Sequence, residues 1–273
     1  MDILLSSISL TDLAAYLSVG AFAGILAGML GIGGGLVIVP VLLGVFRLQG
    51  VSPDIAPHLA VGTSLATIVF TSLSSIRAHH RRGAVRWGVV KALAPGIVLG
   101  ALAGAVIAGV ISGPWLQRLF AIFVMVVGVR MLRGTHTAAR RDLPATGGML
   151  AAGGLIGAVS SLVGIGGGTL TVPFLSACRV GMREAVATSS ACGLPIAVAG
   201  SIGFIAVGWA DPRLPPGALG FLHLPAALLV VAASVPFAPV GVWLAHRMPV
   251  VALSRVFAGM LLLVGVKLLL GSA

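Results

Sequence analysis

Few side chains in this sequence could carry out chemistry, and their spacing narrows the options. All six carboxylates, Asp2, Asp12, Asp54, Asp142, Glu184 and Asp211, fall at the ends of apolar stretches or between them. Proton and sodium pumps place an ionisable group inside the hydrophobic layer, so a relay through a buried carboxylate has no support. His79-His80 stands beside Arg81-Arg82 with no carboxylate or thiol next to it, which reads as a basic loop and not as a metal site. Cys178 and Cys192 are too few for a disulfide framework and lack zinc-ligand spacing, so both read as unpaired packing residues. Ser64 and Ser189 each follow a threonine, yet a nucleophilic serine needs an oriented base. His58 is six residues before Ser64, off the facing i+3 and i+4 positions. Its counterpart in the second half, Arg183, cannot be a base. The chain reads as no enzyme, with no cofactor and no metal.

The sharpest feature is a glycine run that occurs twice, Gly31-Ile-Gly-Gly-Gly and Gly164-Ile-Gly-Gly-Gly. A dinucleotide loop would need a preceding strand, a βαβ context and a later acidic residue, and none is present. Three consecutive glycines cost too much helix propensity to serve packing alone. A break inside an apolar run exposes backbone N–H and C=O groups, tolerated in lipid only where protein or a water-filled cavity receives them. The motif therefore predicts an interior cavity. If the segment after each break is a half-helix, its N-terminal N–H groups and dipole favour an anion at Gly33, Gly34 and Gly35, and again at Gly166, Gly167, Gly168 and Thr169. Thr63-Ser64 and Thr188-Ser189 add hydroxyl donors of the kind that hold an oxyanion without full charge pairing; back-bonding to a helix carbonyl is the competing role. His58 and Arg183, each five residues before its threonine, form either an outer cationic funnel for an anion or an interfacial snorkelling pair. The runs Gly20-x-x-x-Gly24-x-x-x-Gly28 and Gly96-x-x-x-Gly100-x-x-x-Gly104 read instead as tight helix crossings.

The elements that must position these residues are membrane helices. Of 273 residues, 58% are hydrophobic and only 8% charged, against roughly 25% charged in soluble proteins, and the mean hydropathy is +1.14. The apolar stretches are unbroken, unlike the alternating segments of about ten residues in a β-barrel. The net charge of +11 would suggest nucleic acid in a soluble chain, but cytoplasmic loops of membrane proteins carry such an excess for topological reasons. The expected partners are a lipid bilayer and a small anionic substrate, with no nucleic acid. The N-terminus lacks a basic residue before its first apolar run and a cleavage site, and so does not read as a signal peptide.

The chain is two copies of one unit. Gly24 to Leu42 matches Gly157 to Leu175; Ala60-Val-Gly-Thr-Ser64 matches Ala185-Val-Ala-Thr-Ser189; Pro95 and Gly100 match Pro236 and Gly241. Arg118, Phe120, Gly128 and Arg130 match Arg255, Phe257, Gly265 and Lys267. The halves are residues 1–134 and 145–273, joined by a basic linker at 135–144. Spans fall near 11–46, 58–78, 88–111, 115–133, 145–178, 184–209, 220–245 and 251–270. The expected fold is thus an all-α integral membrane protein with eight transmembrane helices in two parallel four-helix repeats, the first helix of each broken at the glycines. An even number of crossings per unit sets the axis along the membrane normal. On that assumption eleven bases lie on one side and six on the other, which favours cytoplasmic termini, and Trp87 with Trp209 and Trp115 with Trp243 mark the two interfaces.

The run Gly28 to Pro40, with His58-Leu-Ala-Val-Gly-Thr-Ser-Leu65 and the loop Ala78-His-His-Arg-Arg-Gly83, resembles the sulfite exporter TauE/SafE family of permeases. Gly164 to Pro173 and Ala185 to Ser189 resemble its second repeat. The resemblance implies an inner-membrane carrier of small sulfur-containing anions such as sulfite, sulfoacetate or related organosulfonates, powered by the proton gradient. A proton would then ride on sulfite itself, which protonates near neutrality, or on His58 or His79. The alternatives are a carrier of another small solute and a non-transporting membrane assembly module.

Overall fold

The computed structural model describes residues 10–30, 34–133, 142–247 and 250–271. Among them are ten helices and no strand: α1 (Leu10–Leu30), α2 (Gly35–Leu48), α3 (Ala56–His80), α4 (Trp87–Val110), α5 (Gly113–Arg133), α6 (Thr146–Val163), α7 (Gly168–Ala177), α8 (Met182–Gly208), α9 (Leu224–Arg247) and α10 (Val250–Leu270). Five are long and apolar enough to cross a membrane by length and composition, namely α3, α4, α5, α6 and α8. At 1.5 Å per residue, the 14 residues of α2 and the 10 of α7 fall well short of a hydrocarbon core about 30 Å thick.

Glycine contacts fix how the long helices run. A methyl added at Gly96, Gly100 or Gly104 of α4 would strike the carbonyl oxygen of Leu150, Gly154 or Ala158 of α6. The two numbers rise together, so α4 and α6 are parallel, in backbone-to-backbone contact. In α1, Gly20 and Gly24 stand in the same way against Val230 and Ser234 of α9. The two crossings are copies, since Gly153 against Leu93 and Gly157 against Ile97 repeat those contacts; they pair Leu93 with Val230 and Ile97 with Ser234, one helical turn away from the expected match of Pro95 with Pro236. Both glycine runs assigned to tight crossings act as such at the positions described. Pairs α3·α8 and α5·α10 run antiparallel, with Gly62 opposite Phe204, Gly200 opposite Leu65, and Gly128 opposite Ala258.

The segments after the glycine breaks do not continue the helices before them. The hydroxyl of Tyr16 in α1 hydrogen-bonds the Gln49 side chain just past α2, at 3.2 Å, and Tyr16 and Phe46 flank the same His223 ring. The end of α2 has therefore returned to where α1 begins. Likewise Arg179, just past α7, meets Asp142, just before α6, at 3.3 Å. Each half thus opens with a helical hairpin, α1–α2 and α6–α7, followed by three long helices.

This reverses the expected relation between the halves. We call the face where α1 and α3 begin the near face. His58, at the start of α3, reaches the carbonyls that end α4, so α4 ends at the near face, and α6, parallel to it, must begin at the far one. The first hairpin enters from the near face and the second from the far face. The repeats are inverted, not parallel, and their two-fold axis lies across the bundle. The physical reason is parity: a hairpin returns the chain, leaving three traverses per unit where the sequence reading counted four.

The base count changes with it. The near face carries Arg47, Arg118, Arg213 and Lys267; the ends of helices at the far face carry the other eleven described bases, from Arg77 to Arg255. Arg140 and Arg141 lie outside the described residues. Trp115 and Trp209 are exposed at the near end and Trp87 and Trp243 at the far end. Both faces keep two tryptophans, although the pairing differs from that expected.

Replacing Gly100 with Leu forces a side chain into the α6 backbone and should destabilise by about 1–3 kcal/mol or more. Gly44→Ala, where a Cβ meets nothing within 4 Å, should be neutral or stabilising by up to about 1 kcal/mol. Thermal unfolding of both variants in detergent checks the contrast.

Candidate functional site

The tips of the two hairpins meet inside the bundle. Helix α6 ends at Gly164, whose φ of 70° is a left-handed conformation that glycine adopts without strain. The N–H of Gly164 bonds the carbonyl of Ser161, and that of Ile165 bonds the carbonyl of Ser160, the paired closure common at glycine-terminated helices. On the other side Gly34, with φ of 71°, precedes α2, and its carbonyl accepts the N–H groups of Val37 and Ile38. A Cβ on Gly35 would sit 2.5 Å from the Gly164 carbonyl oxygen and 3.0 Å from Ile165 Cα. Only glycine allows this approach, which explains why both glycine runs are needed. Gly33 lies outside the described residues.

The Thr-Ser pairs sit at this junction as clasps between the halves. Ser64 in α3 donates to the Gly164 carbonyl at 2.8 Å, tying the first half to the tip of the second hairpin. Thr63 accepts the N–H of His223 at 2.9 Å, at the entry to α9. Thr188 accepts the N–H of Arg86 at 3.1 Å, at the entry to α4. These last two are the same bond related by the repeat, each crossing from one half to the other. Ser189 instead donates back to Val186 at 2.8 Å, the back-bonding alternative. Thr63, Ser64, Thr188 and Ser189 are all fully buried.

The N-terminus of α7 offers unmet donors. Only Thr171 closes onto the start of this helix, through its N–H to Gly167 at 2.8 Å. The N–H groups of the first turn, from Gly168 through Thr169 to Leu170, have no partner inside the helix. The buried side-chain oxygens of Thr169 and Thr171 make no hydrogen bond among the described residues, nor do those of Ser160, Ser161 and Ser201. Unpaired buried hydroxyls are rare enough in folded proteins to call for a reason. A Cβ added at Gly167 would lie 3.1 Å from the Thr171 hydroxyl, 3.1 Å from the Ser189 carbonyl and 3.3 Å from the Gly193 N. The bare glycine lets the start of α7 pack directly against the α8 backbone, with the Thr171 hydroxyl beside it. Gly166 and Gly168, also buried, flank it.

Sequence reasoning marked Gly166 to Thr169 but missed Thr171, Ser160, Ser161 and Ser201. The signal available was a cluster of hydroxyls on both sides of a glycine break within an otherwise apolar run.

His58 and Arg183 do not form one funnel. Inversion of the repeats puts matched positions on opposite faces, with His58 near and Arg183 far. His58 is only 4% exposed. Its Nδ1 meets the Asp54 carbonyl at 3.0 Å, and its Nε2 meets those of Ala108 at 2.9 Å and Ile111 at 3.1 Å. It thereby ties α3 to the carbonyl end of α4, with its ring 5.0 Å from that of Phe221. Arg183 is exposed, and His79 lies at the far end of α3. The loop after α8 carries Asp211, whose carboxyl is held below the ordinary range chiefly by the Arg213 side-chain hydrogen bond. Among the described residues no group of three or more His, Cys, Asp or Glu side chains could hold a metal ion.

The class defined by this arrangement is a helical protein of inverted repeats, each opened by a glycine-tipped hairpin. The family model for the sulfite exporter TauE/SafE matches residues 16–268, and the chain belongs to that family. A "Probable membrane transporter protein" of Haemophilus influenzae is 36% identical over 265 residues, covering 95% of this chain and 99% of its own. One of Xylella fastidiosa is 32% identical, covering 72% and 73%. Another, from Methanocaldococcus jannaschii, is 28% identical, covering 78% of each chain. No solved structure matches.

Ser64→Ala strands the buried Gly164 carbonyl and should cost about 1–3 kcal/mol. Ser189→Ala gives up only a back-bond within its own helix and should cost less than about 0.5 kcal/mol. Thermal unfolding compares the two.

Proposed function

We propose that this chain is a permease of the inner membrane that moves a small sulfur-containing anion, sulfite or a related organosulfonate, by secondary transport coupled to the proton gradient. The observation that carries the reading is the junction of the two opposed hairpins. Half-helix N-termini aimed at an interior junction are how many secondary transporters hold an anionic group near the bilayer midplane. Here α7 presents unpaired N–H groups beside the unpartnered hydroxyl of the fully buried Thr171. Membership of the TauE/SafE family supports sulfur anions as the substrate class, and the relatives' names support transport.

In this reading α3, α4, α5, α8, α9 and α10 cross the bilayer and the hairpins enter it from opposite sides. The inverted halves supply two arrangements of similar energy, as alternating access requires. The excess of bases at the far face supports a cytoplasmic location for that face. The start of α1 and the end of α10 then lie on the outer side, opposite to the orientation drawn from single crossings of 11–46 and 145–178.

Flux in proteoliposomes tests the reading. With sulfite loaded and a pH gradient imposed, the protein should give saturable, gradient-sensitive movement above empty liposomes. Gly167→Ala, whose methyl presses on the Thr171 hydroxyl and the α8 backbone, should cut that flux about tenfold or more in protein that still unfolds cooperatively. Wild-type flux no greater than empty liposomes for every sulfur anion, from folded protein, would overturn the assignment.

A further inference from the structure

Three segments around the α7 N-terminus hold polar groups but no formal charge, and the charged pair next to them, Arg86 with Glu184 at 2.8 Å beside Thr188, is mutually neutralised and partly exposed where α8 begins at the far face. From Leu143 to Cys178, which includes α6, both tips of the break and α7, the sequence contains no Asp, Glu, Lys, Arg or His. The same is true of Leu59 to Ile76 in α3 and of Ala185 to Ala210 through α8. These segments surround the break: Ser64 bonds the Gly164 carbonyl, and Gly167 packs closely against Ser189 and Gly193 of α8. An anion there meets backbone N–H groups, the unpartnered hydroxyls of Thr169 and Thr171, and apolar walls.

Charge number decides what such a site accepts. The cost of taking an ion out of water rises with the square of its charge, whereas stabilisation by fixed N–H and O–H dipoles rises only with its first power. A site of neutral donors can balance the first charge of a small oxyanion and falls progressively short on the second. A lysine or arginine would remove this discrimination, and none lies in the three segments.

We propose that the site at the α7 N-terminus selects singly charged oxyanions and rejects doubly charged ones. Sulfite then passes as hydrogensulfite and carries its own proton. The inference rests on the anion-permease reading and narrows it, since simple monosulfonates fit while sulfate, thiosulfate and sulfoacetate carry one charge too many. It also removes the need for a titrating carboxylate, because each sulfite moved takes one proton with it.

The test uses the full chain in proteoliposomes, with empty-liposome flux subtracted. Sulfite at fixed total concentration is followed as pH is raised across neutrality, beside methanesulfonate, which stays a monoanion throughout, and thiosulfate and sulfate, which stay dianions. Sulfite flux should fall by up to about tenfold per pH unit once hydrogensulfite becomes the minor form. Methanesulfonate should compete with it at every pH, and thiosulfate and sulfate should neither move nor compete. Thr171→Val, which removes a hydroxyl without a hydrogen-bond partner among the described residues, should keep the unfolding temperature and lower the monoanion flux about tenfold. Sulfite flux that is flat with pH, or dianions moving as fast as methanesulfonate, would overturn the monoanion selection and leave the permease standing. If folded protein moves no anion at all, both fall together.

Discussion

A helix broken inside an apolar layer must find partners within the protein for the backbone groups it exposes, and here two breaks share one solution. The tip of the second hairpin is closed by its own terminal hydrogen bonds, by the Ser64 hydroxyl on the Gly164 carbonyl, and by direct backbone contact with Gly35. Every long helix is arranged to make that meeting possible. The parallel pairs α1·α9 and α4·α6 set each hairpin against the other half of the chain at glycine-width separation. The threonine clasps then pin the entry of each third helix across the boundary between halves. The two repeats interlock, and neither half buries its hairpin without the other.

The asymmetry within this symmetric frame is what gives the site its chemistry. Ser64 reaches across to the opposing tip, while its mate Ser189 folds back on its own helix. The α7 half-helix is the shorter of the two and begins with Gly-Thr, where α2 begins with Gly-Leu. Hydroxyls therefore gather on the α7 side, without partners among the described residues. The basic residues sit at the ends of the helices, far more of them at one face than the other. The three segments around the break carry no charge, so its surroundings are left to neutral dipoles.

Much of this was legible in the residues. The duplication was read from the residues; the half-helix length of the segments after the two breaks and the close-packing role of Gly20, Gly24 and the Gly96–Gly104 run also follow from sequence, and the structure bears these out where it describes them. The direction of the chain after each break does not follow from sequence alone. Hydropathy and glycine spacing are the same for a kinked helix that continues and for a hairpin that returns, and the difference lies in long-range contacts such as Tyr16 with Gln49. That one ambiguity carried through to the parity of crossings, the sense of the repeats, the base count and the supposed funnel of His58 and Arg183. The buried hydroxyls of Thr171, Ser160, Ser161 and Ser201 were hidden for a related reason: which face of an apolar helix points to an interior junction is decided by packing.

The most direct test of the opposed hairpins is the sidedness of paired single cysteines, in a background with Cys178 and Cys192 replaced. Positions Ala14, in the first turns of α1, and Leu48, at the end of α2, are both exposed on the protein. A membrane-impermeant thiol reagent should label Ala14→Cys and Leu48→Cys from the same side of sealed vesicles, and Met182→Cys from the opposite side. Labelling of positions 14 and 48 from opposite sides would show that the first apolar run crosses once, and would contradict the hairpin on which the whole arrangement rests.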